Sequence, residues 1–192
     1  MKTSGIKSGI LILFLVQLIV LSSCNDDDLK NATSISAKKI TLSTDRSYGV
    51  EIIYSDSAKV KAKGYAPILD KVTPSEGAMY NEMPKGVKIE FFNEFLKPTG
   101  TITSGYAINK QTDKITIFRK NVVVVNDQIT FTTEELIWDE NKKMYSSPYG
   151  TVTSKKDGSV ATGTEFTAPQ DFSTYKIIQA SGTTYVKGDL RP

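Results

Sequence analysis

The sequence predicts an all-β domain, and three observations carry that expectation. Between residues 121 and 178 apolar side chains recur at every second position, as in Val122/Val124, Ile129/Phe131 and Leu136/Trp138, the period of a strand with one buried face. Polar segments separate these runs: Asn126-Asp127, Asp139-Glu140-Asn141-Lys142-Lys143 and Lys155-Lys156-Asp157-Gly158-Ser159. The Asp157-Gly158 pair suits the positive φ of a tight hairpin. Beyond the amino-terminal apolar run, no window carries the i, i+3, i+4, i+7 stripe of an amphipathic helix, and only residues 74–83 could hold a short helical turn. Successive antiparallel hairpins of this kind build a sandwich or an open barrel.

Taken in order, the chain begins with Lys2 and Lys7 ahead of an apolar run at 10–21. That run is shorter than the roughly 20 residues a bilayer crossing needs, so residues 1–23 read as a signal peptide. The run ends in Leu21-Ser22-Ser23-Cys24, which resembles the lipobox of bacterial lipoproteins and marks Cys24 for lipidation and membrane anchoring. Cys24 is the single cysteine, so the mature domain has no internal disulfide and must be held by sheet packing. Residues 24–46 then read as the lipidated Cys and a flexible polar tether, and residues 47–192 as the folded domain. Asp26-Asp27-Asp28 in the tether is either a solvated acidic linker or a surface-export tag. Loss of Lys2 and Lys7 from the 24 basic residues leaves 22 against 21 acidic ones, a net charge of +1 that gives nucleic-acid binding no electrostatic support.

Within the domain, Tyr48, Val50, Ile52 and Tyr54 mark a first strand, and Val60, Ala62, Gly64 and Ala66 a second that Pro67 closes or places at an edge. Residues 70–84 carry Pro74, Gly77 and Pro84 with little periodicity and read as irregular. Val87, Ile89 and Phe91 form the next strand, Lys97-Pro98-Thr99-Gly100 a turn, and residues 102–108 a strand. Gln111-Thr112-Asp113 makes a hairpin from which Ile115 and Ile117 return.

An ordered set of segments resembles the LptC family of lipopolysaccharide-export proteins. It comprises Val87-Lys88-Ile89-Glu90-Phe91-Phe92, Ser104-Gly105-Tyr106-Ala107, Asn121-Val122-Val123-Val124, Thr133-Glu134-Glu135-Leu136-Ile137-Trp138-Asp139 and Lys142-Lys143-Met144-Tyr145-Ser146, then Val152, Gly163 and Asp171-Phe172-Ser173. The resemblance covers about residues 48–182. The resemblance implies an open, twisted β-jelly roll of two antiparallel sheets whose groove sheathes the acyl chains of lipid A. It implies a groove lined by Ile89, Phe91, Ile102, Tyr106, Ile117, Val124, Phe131 and Trp138, although alternation alone reads these as an ordinary core. It also implies a partner edge strand with Tyr175, Ile177, Tyr185 and Val186, and as partners lipopolysaccharide, an inner-membrane ABC transporter and a periplasmic jelly-roll bridge protein. It further implies a periplasmic setting, with Cys24 anchored most naturally in the inner membrane and surface exposure as the alternative. Glu165 stands where the family has a second glycine after Gly163.

Catalysis finds little material. The chain has no histidine, which removes Ser-His-Asp, Cys-His and common zinc sites. Glu134/Glu135 and Asp139/Glu140 lie on or beside a polar hairpin, where acids solvate the turn; Lys142/Lys143 and Lys155/Lys156 serve turn solubility or meet lipid phosphates. No Gly-rich loop opens a helix, and no cofactor is expected. The expectation is a non-enzymatic lipid carrier, with a surface β-sandwich lipoprotein that binds glycan or protein as the second reading.

Overall fold

The computed structural model describes residues 40–184, so Cys24, the leader, Tyr185 and Val186 lie outside the described residues. The described chain is all-β and antiparallel. Its strands are β1 (Leu42–Asp56), β2 (Lys59–Pro74), β3 (Tyr80–Met83), β4 (Val87–Phe92), β5 (Pro98–Ser104), β6 (Tyr106–Lys110), β7 (Ile115–Asn126), β8 (Ile129–Asp139), β9 (Met144–Ser154), β10 (Val160–Pro169) and β11 (Lys176–Thr183). They form one continuously hydrogen-bonded sheet of eleven strands, in agreement with the expected jelly-roll or sandwich class. The two layers are made by folding that sheet.

Most long strands bend near mid-length, and the bends oppose one another along one crease. Gly49 of β1, at φ +59°, stands across from Pro67 of β2, between the pairs Tyr48–Ile68 and Val50–Ala66. Gly86, at φ +83°, separates β3 from β4, and Gly105 separates β5 from β6 while its N–H donates to the Lys120 carbonyl at 2.8 Å. Lys120 and Asn121 in β7, Glu165 in β10 and Gln179 in β11 all have positive φ. Positive φ, extra residues and a missing N–H let a strand turn a corner between layers. Two limbs result. Limb A holds β4, β5 and the adjoining halves of β1, β2 and β7 to β10; limb B holds β3, β6 and the other halves.

Several expectations change here. Pro67 does not end β2, which continues to Pro74. The strand tolerates it because Pro67 falls in the gap where β2 exchanges β4 (pairs at 62–65) for β3 (pairs at 70–72). Residues 70–84 are therefore largely strand. The strand expected over 102–108 is broken at Gly105, and the turn lies earlier than 97–100. There the Asn93 side-chain oxygen accepts from the Phe95 and Lys97 N–H groups, and Pro98 already opens β5. The polar segment expected to run to residue 46 enters the sheet at Leu42. Its Arg46 reaches Asp70 directly across the ladder in a two-pronged ion pair, both contacts 2.7 Å.

The limbs face each other. Phe131 of limb A stacks on Phe166 of limb B, with centroids 3.8 Å apart and planes 14° from parallel. Ile102, Val122, Val124, Phe131, Leu136, Val152 and Phe166 are essentially sealed from solvent. This packed end lies under β5 and β7 to β10. Toward β1 and β2 the wedge opens.

Candidate functional site

The open end of the wedge is a cavity of about 270 Å³. Limb A supplies Ile52 and Tyr54 from β1, Ala62 and Gly64 from β2, and Val87, Ile89 and Phe91 from β4. Limb B faces them with Met83 of β3, Phe118 of β7, Trp138 of β8 and Tyr145 of β9. The ladder explains how these residues meet. Ile52, Gly64, Ile89, Ile102, Val124, Phe131 and Val152 oppose one another strand by strand, forming one inward row across limb A. Gly64 contributes no side chain to that row, and the missing volume keeps this end hollow. A Cβ built there would approach Ile52 at 3.6 Å, an ordinary contact, so sterics do not demand glycine.

The residues expected to line a groove divide into three groups. Ile89, Phe91 and Trp138 do line the cavity. Ile102, Val124 and Phe131 share the inward row but are packed shut, because the Phe131 ring is held against Phe166. Tyr106 and Ile117 point the other way. Their neighbours Ala107 and Phe118 are buried inward, so strand alternation puts Tyr106 and Ile117 on the outer face. There the Lys120 ammonium lies 5.4 Å from the Tyr106 ring centre, and burial followed by the nearby Glu82 pushes the Tyr106 hydroxyl up to about 12. Met83 and Phe118 are wall residues that periodicity did not single out, and Ile52 and Tyr54, read from it as strand positions, were not expected in the groove. Their signal is long-range register, which a local pattern does not contain.

The polar groups at the cavity gather at one end. Gln111, Glu140 and Gln170 occupy the first positions past β6, β8 and β10, at the tips of limb B, with Asn81, Asn109 and Thr116 beside them. The Asn109 amide donates to the Thr116 hydroxyl at 2.8 Å. Trp138 and Tyr145 meet with centroids 4.5 Å apart. Burial raises the Tyr145 hydroxyl far above its usual range, and burial together with the Glu140 charge raises that of Tyr54. Both phenols therefore stay protonated and able to donate. Among the described residues no group of three metal-ligating side chains occurs, and every sealed side-chain polar atom has a partner.

At the carboxyl end, β11 pairs only with β10 and forms one edge of the sheet; β1, paired only with β2, forms the other. Ile177 is half-buried on β11, close to where a Gly163 side chain would stand. Tyr175 precedes the strand and is exposed, its ring centre 6.0 Å from that of Phe166, so it is not part of the edge strand. No protein-family model matches the chain, and no curated protein matches it.

Proposed function

We propose that this domain is a non-enzymatic carrier of acyl lipid, working as the LptC family it resembles works. In this reading it takes lipopolysaccharide from an inner-membrane ABC transporter and passes it to a periplasmic jelly-roll bridge, while lipidated Cys24 holds it to the membrane. The observation that carries the reading is the hollow, aromatic-walled end of an otherwise tightly packed wedge. A protein interior normally closes such a volume, so an apolar cavity with a polar rim is the default place for a ligand. At about 30 Å³ per water-sized group, the cavity holds a chain segment of roughly nine methylenes. At about 0.8 kcal/mol each, their burial is worth roughly 7 kcal/mol against water. A lipid with several chains needs more room, and the wedge can widen only toward β1, which a single ladder retains. The unpaired side of β11 would then offer the bridge protein a strand to extend.

The test is direct. The full-length protein, purified from membranes, should carry lipopolysaccharide detectable by mass spectrometry. Gly64→Phe, which fills the hollow at a position where a Cβ fits, should retain the β-sheet circular dichroism spectrum and lose at least about nine-tenths of the lipid, the tenfold effect of 1.4 kcal/mol. Lipid-free wild-type protein, or a folded variant with undiminished lipid, would sink the proposal.

A further inference from the structure

The rim assigns the chemistry of the head group. We infer that the cavity takes an acyl chain whose head, where it meets the rim, is uncharged and free of phosphate, with hydroxyl groups as its hydrogen-bonding partners. This rests on the reading of the cavity as an acyl-chain site and specifies what its rim can meet: the hydroxylated sugars of a lipopolysaccharide, whose phosphates must lie away from Glu140. Carboxamides and a single carboxylate, Glu140, meet the solvent end of the hollow, and no lysine or arginine lines it among the described residues. Of the basic side chains on the same hairpins, Lys142 holds Asp139 at 2.8 Å, and Lys110, Lys114 and Lys143 do not line the wall. Sites for phosphate depend on charge-assisted donors, usually from arginine or lysine. A phosphate here would instead lie beside the Glu140 carboxylate in a mouth half-walled by aromatic rings, where the repulsion is poorly screened. Sugar hydroxyls fit what is present. Gln111 and Gln170 each offer a donor and an acceptor, Glu140 accepts, and the protonated Tyr54 donates.

Trp138 is the single tryptophan of the chain and stands in the cavity wall, so its fluorescence reports occupancy of this site. The full chain, held in amphipol, is titrated with decyl glucoside and with decyl phosphate, two probes of equal chain length. The expected result is Trp138 quenching by both, with the glucoside dissociation constant at least about tenfold lower. Glu140→Lys should erase that preference by tightening the phosphate and leaving the glucoside nearly unchanged. If that variant does not fold, Glu140→Gln should narrow the preference in the same direction. Binding of both probes with equal or tighter affinity for the phosphate overturns the head-group inference and leaves the acyl site standing. A Trp138 signal that neither probe moves overturns both.

Discussion

Asp70 shows how much one side chain can depend on the register of a ladder. It is 5% exposed, and the Arg46 guanidinium across the strand holds its carboxyl below the ordinary range. A carboxyl whose folded pKa lies below its unfolded value contributes stability above the unfolded pKa and loses it as pH falls through the folded one. Asp70→Asn should therefore be less stable than wild type in urea at pH 7. The gap should shrink steadily as pH drops below about 4, where unfolded aspartates take up their protons. A gap that stays constant down to pH 2 would show that packing, and not the ion pair, matters at this position. Gly150 is constrained differently: a Cβ there would fall 2.3 Å from the Phe131 ring, which Phe166 prevents from moving away. Glu165, where the resemblance leads one to expect glycine, adopts φ +50°, the backbone conformation that glycine takes without strain.

Strands β8, β9 and β10 share a device for turning the crease. In β8 the buried positions are Ile129 and Phe131, then Leu136; in β9 they are Tyr145 and Ser147, then Gly150 and Val152. The inward set changes from odd to even numbers, so each limb keeps its apolar face inside after the bend. Where β8 and β9 stop pairing, between Thr132–Thr151 and Ile137–Ser146, two hydroxyls replace the ladder. Ser147 donates toward the Glu135 carbonyl at 2.6 Å or the Tyr149 carbonyl at 2.8 Å, and Thr133 reaches the same two carbonyls and Ser147 itself. Ser147→Ala should cost about 1–2 kcal/mol, the worth of a buried hydrogen bond plus a poorly satisfied carbonyl. Thermal unfolding measures it, and a loss under a few tenths of a kcal/mol would mean that water takes over the crease.

The folded sheet is a wedge, sealed at one end and hollow at the other, and a single inward row runs through both. Position between the two ends should set the cost of truncation. Phe131→Ala, at the sealed end, should cost about 3–5 kcal/mol because its cavity cannot collapse. Phe91→Ala, at the hollow end, should cost less than half of that, since its ring is only partly buried and borders an existing cavity, so its loss leaves no new sealed void. Equal losses in urea denaturation would mean that the hollow end is packed in solution.

The amino-acid pattern alone determined the all-β class, the hairpin positions near 126–129, 140–143 and 155–158, and the alternation that marks an inward face. These are readable because strand period and turn chemistry are local: Gly158 does adopt φ +76° after Asp157. Even the crease left a trace, in the shift from Ile129/Phe131 to Leu136/Trp138, although a change of phase looks like a new strand until both halves pair with the same neighbour. Only the tertiary structure decided which inward residues are core and which are cavity wall. Phe91 and Phe131 have the same local signature. One faces a row in which Gly64 leaves space, whereas the other lies against Phe166, contributed by the opposite limb 35 residues away in sequence. Burial is a property of what stands opposite, and strand alternation specifies only the side from which the partner must come.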